Sequence, residues 1–331
     1  MTAQVPGIGT WALVGAVCVL GLAALVDAIV GGGEQATPKP RPPTVSTDET
    51  EAIRETLRGL GVHGTITYAD TRCGLHTVRL PGLEEAPAPV APSCVFTMSP
   101  RNVWSPDASA IDPVSGAVAV CLRAGGVQVR AADGSTVNFG PGCPPAWTPG
   151  GTLTVVQDGG VVRLEPAPGG GLHSEPVLTS ADLARELAAT PWGRSAPFVR
   201  EAAWLTDDLV AVIVGAGPGA GGDGLALFRG GRLVYIPLGP YAPLARLRPS
   251  PRGSYVSAVI ADGTGVVLAD AGGEVATDPI RTGQAIAWSP DEAFALVATP
   301  GGTALFEPRP VSEGAPQIVG LPIVARDLAW N

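Results

Sequence analysis

The stretch "AWSPDEAFALVATPGGTALFEP", residues 287–308, holds two short apolar runs. A Trp-Ser-Pro-Asp turn introduces them and Pro-Gly-Gly separates them. Short apolar runs bounded by Pro, Gly, Asp and Ser are the pattern of strands joined by tight turns. The same order recurs in "AWTPGGTLTVVQDGGVVRLEP", residues 146–166: Ala-Trp, a Pro turn, a strand, a Gly-Gly turn and a second strand. Further copies begin at "VWSPDASAIDPVSGAVAVCLRAGGVQVRAADG" (103–134) and "AWLTDDLVAVIVG" (203–215). A degenerate copy, "LRPSPRGSYVSAVIADGTGVVLADAGG" (247–273), aligns through Ser250-Pro251 and puts Pro249 where the others have Trp. The final residues, "DLAWN", supply Trp330.

The anchor positions are therefore Trp104, Trp147, Trp204, Pro249, Trp288 and Trp330, spaced 43, 57, 45, 39 and 42. A period near 42 with two to four short strands per copy predicts an all-β fold, a β-propeller. The long interval contains "LTSADLARELAATPWG", where Thr179 and Asp182 have capping-box spacing and Leu183 and Leu187 stand four apart. A two-turn helix inserted between blades accounts for the excess. The last copy stops just after its Trp, whereas "GTITYADTRCGLHTVRLPG" (64–82) has strand, turn and strand without a Trp strand before it. The expectation is a composite closing blade, with 326–330 as inner strand and 64–98 supplying the outer ones. A ring closed in this way has six blades and no open sheet edge at the join. The Trp residues would fill the wedge between blades, each indole N–H needing a partner nearby.

The "WSPD" runs at 104–107 and 288–291, each followed by an apolar strand, resemble the repeat of TolB-like, WD-type six-bladed propellers of the bacterial envelope. By pattern the resemblance spans about residues 64–331, and two copies match the four-residue motif. It implies a binding platform rather than a catalyst. The chain departs from that family in its apolar amino end and in having no recognisable separate amino-terminal domain.

Composition agrees with a turn-rich β body: the 331 residues include 45 Gly and 34 Pro. A net charge of −9 disfavours nucleic-acid binding, because neutralising phosphates needs a basic face. The basic residues are nearly all Arg, Lys39 being the one lysine, a bias of GC-rich bacterial genomes. Residues 7–30, "GIGTWALVGAVCVLGLAALVDAIV", carry a single charge, Asp27. At about 1.5 Å per residue they can cross a ~30 Å hydrocarbon core as a transmembrane helix. The alternative is a cleaved signal peptide, loosely suggested by Val26-Asp27-Ala28. Against it, residues 1–6 hold no Lys or Arg and the apolar run exceeds a usual signal core. The reading is a short cytoplasmic tail (1–6), the span, a Gly/Pro-rich linker (31–47), a short helix (48–60) and the propeller (61–331). Ser46 and Glu49 have capping-box spacing for that helix, Ile53 and Leu57 are four apart, and Gly59 can end it.

Lys39 and Arg41, after the span, weakly oppose an external carboxyl side. Cysteine usage favours it: beyond Cys18 there are four, none in CxxC spacing. Two local disulfides, Cys73–Cys94 and Cys121–Cys143, fit an oxidising compartment best among three possible connectivities.

No motif names a reaction. The Gly-x-Gly-x-x-Gly match at Gly217, Gly219 and Gly222 leads into a strand, so a hairpin loop is the better reading than a dinucleotide site. His63, His76 and His173 are scattered, and neither metal nor cofactor is expected. The candidate recognition set stands three residues before the anchors: Arg101, Glu201, Arg246 and Asp327, with Pro144 and Ala285 at the equivalent positions. These four charges would gather at one channel mouth, either to bind or to pair between neighbouring blades. The functional expectation is a membrane-anchored, extracytoplasmic, monomeric propeller that binds an envelope protein or cell-wall component. The alternative is an enzyme on the same scaffold acting on sugars, lactones or peptides, which would need clustered His and carboxylates.

Overall fold

A computed structural model describes residues 47–70, 72, 74–87, 97–98, 104–105, 109–122, 125–166, 172–215, 222–238, 243–260, 265–272, 282–309 and 317–331. Residues 46–331 form one compact unit. The apolar stretch 7–30 lies outside the described residues, among which no helix is long and apolar enough to cross a membrane.

The chain enters through helix α1 (Thr47–Gly59), whose acidic first turn and basic last turn suit the helix dipole. Three strands follow: β1 (Gly64–Ala69), β2 (Leu75–Leu80) and β3 (Glu84–Ala86). A two-stranded ribbon comes next, β4 (Thr97–Met98) and β5 (Trp104–Ser105). Then come meanders, each strand pairing antiparallel with the next in chain order. The first is β6 (Ser109–Ile111), β7 (Val118–Cys121), β8 (Val127–Arg130) and β9 (Thr136–Phe139). The second is β10 (Pro145–Trp147), β11 (Leu153–Gln157), β12 (Gly160–Pro166) and β13 (Leu172–Leu178). After helix α2 (Ser180–Glu186) and a 3-10 turn (Pro191–Arg194) the third is β14 (Phe198–Trp204), β15 (Leu209–Gly215), β16 (Gly224–Arg229) and β17 (Arg232–Leu238). The fourth has three strands among the described residues, β18 (Leu244–Pro249), β19 (Tyr255–Ile260) and β20 (Val266–Asp270). The fifth is β21 (Ala285–Trp288), β22 (Ala295–Thr299), β23 (Gly302–Phe306) and β24 (Ile318–Leu321). The last strand, β25 (Asp327–Trp330), pairs not with β24 but with β1.

That pairing is the composite sheet expected from the sequence, in the order β25-β1-β2-β3, but its outer strands end at Ala86, and Thr97 and Met98, expected within it, pair with β5 instead. Trp330 stands opposite Ile66 and Asp327 opposite Ala69. The ladder continues past the strand end, with Thr65 N donating to Asn331 O (2.6 Å) and Asn331 N to Thr65 O (2.9 Å). Gly64 permits this approach: at φ +116° a Cβ would lie 2.6 Å from Asn331 O and 2.7 Å from Trp330 Nε1.

Apolar clusters lie between consecutive sheets, as a radial arrangement requires. Ala119 and Val127 join Leu153, Val155 and Leu164 across the first two meanders. Val156 and Val161 join Trp204, Val210 and Phe228 across the next pair. Leu225 and Leu227 meet Val256 and Ile260, and Val259 and Leu268 meet Trp288 and Val297. Leu296 and Leu305 meet Ile66, Leu328 and Trp330, with Leu57 of α1 fully buried in the same cluster. First strands also lie side by side: β10 against β6 and β14, β14 against β18, and β21 against β25. Sheets buried on both faces need continuous apolar strands, which is why "LVAVIVG" of β15 is buried at every residue. This is the architecture of a β-propeller, with α2 inserted where the long interval predicted it. Thr179 Oγ1 accepts from Asp182 N (3.0 Å) and Asp182 Oδ2 from Thr179 N (3.0 Å), while Leu183, Leu187 and Trp192 are fully buried.

Each anchor is the last residue of its first strand, and the register corrects one of them. In the first meander Ile111 pairs with Val118 as Trp147 pairs with Leu153 and Trp204 with Val210. Trp104 belongs instead to the ribbon β4–β5. The turn after Ile111 is built by Asp112, whose carboxylate accepts from Val114 N (2.9 Å) and Ser115 N (3.1 Å). "DPVSG" thus does there what "WSPD" was expected to do. At 288–291 the expectation stands: Ser289 Oγ donates to Asp291 Oδ1 (2.6 Å) and accepts from Phe294 N (2.9 Å). The Ser289 hydroxyl holds the Asp291 carboxyl below its ordinary value, against a smaller opposing effect of burial.

Three anchor indoles find hydrogen-bond partners, while the buried Nε1 of Trp288 has none among the described residues. Trp147 Nε1 donates to Ala110 O (3.2 Å), Trp330 Nε1 to His63 O (3.0 Å) and Trp204 Nε1 to Thr154 Oγ1 (2.9 Å). Thr154, fully buried, donates its own proton to Ala146 O (3.0 Å). At the same register in the third meander, ahead of Pro249, stands Ala211. An anchor without an N–H has no need of a hydroxyl. In the fourth, Ser257 Oγ donates to Arg248 O (3.2 Å) as Thr154 does to Ala146, while Trp288 stacks on Tyr255 at 5.1 Å.

The Cys121–Cys143 disulfide is formed, tying β7 to the return loop that leads into β10. Cys73 and Cys94, the other expected pair, lie outside the described residues.

Two stability outcomes follow from these contacts. Thr154→Val removes both hydroxyl bonds at nearly constant volume and is expected to cost about 1–3 kcal/mol, read from the urea midpoint. Thr154→Ser should recover most of it, and a valine variant as stable as the parent would show that Trp204 needs no hydroxyl. The disulfide closes a 22-residue separation, worth about 3 kcal/mol in the chain-entropy model. Dithiothreitol should therefore lower the parental Tm, and the drop should shrink in a Cys121→Ser/Cys143→Ser variant. An undiminished drop would locate the effect elsewhere.

Candidate functional site

The first strands start at one mouth of the ring, and two of them carry a bulge there. In β14 the register shifts between Val199 and Glu201, and in β18 between Ala245 and Arg248. A bulge inserts one residue, breaks the ladder locally and re-aims side chains. It also frees backbone N–H groups that must find acceptors.

Glu201 supplies the acceptors. Its Oε2 takes Leu247 N at 2.9 Å and its Oε1 takes Arg246 N at 3.3 Å. The two expected neighbours therefore come together, but through carboxylate and backbone rather than as a side-chain salt bridge. Arg246 itself is exposed and sits at φ +57°, a left-handed conformation uncommon for a residue with a Cβ. Its Nη1 donates to Gln284 O, across to the start of β21, at 3.3 Å.

Asp327, 5% exposed, heads the closing strand and meets an arginine that the sequence reading did not single out. Arg248 Nη2 lies 3.2 Å from both Asp327 carboxylate oxygens. Its Nη1 reaches Ile286 O at 3.4 Å and Leu328 O at 3.5 Å. One guanidinium from β18 thus joins β21 and β25. The sequence held a signal for it. The residue before each anchor is Ala110, Ala146, Ala203, Ala287 or Ala329, where inner strands converge and only a small side chain fits. The fourth meander alone has Arg248 at that place.

A second pair sits beside the β14 bulge. Arg200 Nη1 donates to Asp223 Oδ2, and the same oxygen accepts Leu244 N (2.9 Å) at the start of β18. Arg101 lies outside the described residues, and the anchor from which its place was counted, Trp104, is in the ribbon. Pro144 and Ala285 add no charge. Elsewhere a shallow depression is bounded by His63, Ser289, Asp291, Phe294 and Trp330. Ser289 and Asp291 are engaged with each other there, and His63 Nδ1 lies 2.9 Å from Gly61 O.

The mouth thus gathers Arg200, Glu201, Arg246, Arg248 and Asp327 from three sheets. These groups offer charge, hydrogen-bond donors and a fixed backbone, which is the chemistry of recognition.

No family model matches the chain, and no curated protein matches it. Among solved structures it is similar to the Kuenenia stuttgartiensis hydrazine synthase, at 14% identity and a TM-score of 0.42, covering 70% of each chain. It is similar to TolB from Acinetobacter baumannii, at 13% identity and a TM-score of 0.44, covering 86% of this chain and 73% of that one. A Dos1 propeller structure is similar at 12% identity and a TM-score of 0.43, covering 78% and 72%. Likeness at this level adds nothing to the strand pairing as ground for the fold, and no activity is taken from it.

Proposed function

We propose that this chain is a six-bladed propeller, tethered through residues 7–30 and held outside the cytoplasm, that binds an envelope protein or cell-wall component at the mouth bearing Glu201, Arg246 and Asp327. Six is the count when the composite sheet and each of the five meanders are one blade and the β4–β5 ribbon is an addition. The Cys121–Cys143 bridge supports an oxidising compartment, since cytosolic thiols are kept reduced. The length and apolarity of 7–30 support the tether, and the Gly/Pro-rich 31–46 would hold the ring clear of the bilayer.

The observation that carries the binding reading is ring closure. Pairing β25 with β1 fixes strands far apart in sequence around one axis, so that charges from β14, β18 and β25 meet at one rim. Loops and strand ends held by a rigid scaffold are where recognition groups concentrate.

Site-specific crosslinking tests this directly. A benzophenone amino acid placed at position 284, on the rim, should give one discrete adduct in intact cells of the native host. The same group at position 137, on the outer strand β9, should give none. Adducts from 137 alone would move the docking face to the outer strands. Turnover of a glycoside, lactone or peptide panel by the purified full chain would favour the enzyme reading instead.

A further inference from the structure

We infer that Arg246, together with Arg326, is a clamp for a carboxylate carried by an extended acidic segment of the partner. This deepens the reading of the mouth as the docking face and rests on it.

The starting point is a local conformation that sheet formation does not require. Arg246 occupies a β-bulge at φ +57°, where glycine would sit without strain. The two N–H groups released by the bulge are taken by the two oxygens of Glu201. Had the two residues served only to neutralise each other, the guanidinium would meet that carboxylate. It turns instead to a neutral carbonyl, Gln284 O, and no described carboxylate forms an ion pair with it. The bulge is built so that an arginine side chain is presented and left uncompensated.

Arg326 stands one residue before β25, exposed, with its backbone N–H on Ala69 O (2.7 Å). It stands at a bend, just ahead of the strand whose Leu328 and Trp330 pack with Ala285 and Ala287 of β21. The two arginines therefore belong to the sheets on either side of β21, and Arg246 reaches its start through Gln284 O. Among the described residues Arg326 also forms no ion pair.

The other charges at the rim are engaged. Arg248 holds Asp327, Arg200 holds Asp223, and Glu201 is fixed on backbone. What remains is positive and forked, the geometry that accepts a carboxylate through parallel hydrogen bonds. A single negative charge suits this place better than a phosphate dianion. Glu201, Asp223 and Asp327 surround it, and the whole chain carries −9. An extended segment presents a side chain on one face about every 7 Å, so an acidic segment offers carboxylates at several places along its length.

The test uses the full chain with 15N-labelled arginine, following the side-chain Nε–Hε signals and peptide fluorescence anisotropy. The probes are a doubly capped Glu-Gly-Glu-Gly-Glu peptide, its capped Gln-Gly-Gln-Gly-Gln analogue, the same glutamine peptide with a free carboxyl end, and inorganic phosphate. The capped glutamate peptide should shift the Arg246 and Arg326 signals and bind at least tenfold more tightly than the capped glutamine peptide. Binding confined to the free-ended glutamine peptide would assign the clamp to a chain terminus rather than to acidic side chains. Arg246→Gly keeps the left-handed backbone while deleting the guanidinium. It should retain or raise the Tm and lose at least tenfold in affinity, and Arg326→Gln should lose severalfold. A lower Tm with unchanged affinity would make Arg246 a structural residue and sink the clamp. Equal binding of the two capped peptides would sink it too while leaving the mouth as a docking face. Tighter binding of phosphate, or no shift at either arginine with any probe, would also overturn it, and the crosslinking at position 284 would then stand or fall alone.

Discussion

The pairing of β25 with β1 is the constraint on which the rest of the molecule depends. It brings Trp330 against His63 across a separation of 267 residues. Closing a loop of that length costs about 5 kcal/mol from its logarithmic dependence on length, before any contact within the ring is counted. The return is local and dense. The closing ladder, the Trp330 indole bond and the cluster around Ile66, Leu328 and Leu296 all form at once. Helix α1 adds to the same seam, burying Leu57 there and donating from Arg54 Nε to Gly82 O (2.8 Å). A ring joined by hydrogen bonds presents no raw sheet edge at the join, so closure serves solubility as well as stability.

Given closure, the inner strands must converge, and their sequence is shaped by that crowding. The anchor needs bulk, to fill the wedge towards the sheet before it, and its neighbour needs almost none. The recurring Ala-Trp pair is the product of these two demands rather than a recognition motif. Three of the four described anchor indoles meet an acceptor, a carbonyl for Trp147 and Trp330 and a buried hydroxyl for Trp204, whereas Trp288 stacks on Tyr255 and leaves its buried N–H without one. Pro249 brings no N–H, and the residue in the acceptor's register is Ala211. Donor and acceptor lie 37 residues apart for Trp147, 50 for Trp204 and 267 for Trp330, so no short window of sequence holds both.

Much of this was legible in advance, because turn chemistry and apolar periodicity are local signals. The period, the composite closing sheet and the inserted helix with its Thr179–Asp182 box can all be read from the chain. What failed was the choice between two turn-forming sequences eight residues apart. "WSPD" at 104 and "DPVSG" at 112 both have turn-forming composition, and the pattern favoured the one with a tryptophan. Register then settled on Ile111, a residue that fills the wedge without asking for an acceptor. The bulges were also invisible, since an inserted residue changes pairing but not composition. Counting three back from Pro249 gives Arg246, yet by ladder register Ala245 occupies the place matching Glu201 and Asp327. Arg248 was legible only as an exception, the one departure from alanine in a column that has meaning once the anchors are aligned correctly. Arg101, Cys73, Cys94 and residues 7–30 lie outside the described residues, and their roles rest on sequence alone.

The two bulges explain how a closed ring can offer anything to a partner. A regular inner strand is the edge of its sheet: it turns its side chains into neighbouring sheets and shows the axis only backbone. Inserting a residue near the start of β14 and of β18 breaks that economy at one rim only. At β14 the result is Arg200, compensated by Asp223. At β18 it is Arg246, whose backbone is compensated and whose charge is not. At the same rim the Arg248–Asp327 bridge ties three sheets together, and removing one partner of so buried a pair leaves an uncompensated charge at a cost of about 3–5 kcal/mol. The rim is thus mounted on the most tightly connected part of the ring. The carboxylate of Glu201 fixes the backbone of this left-handed arginine, so the ordering left for an anion is that of the exposed side chain alone.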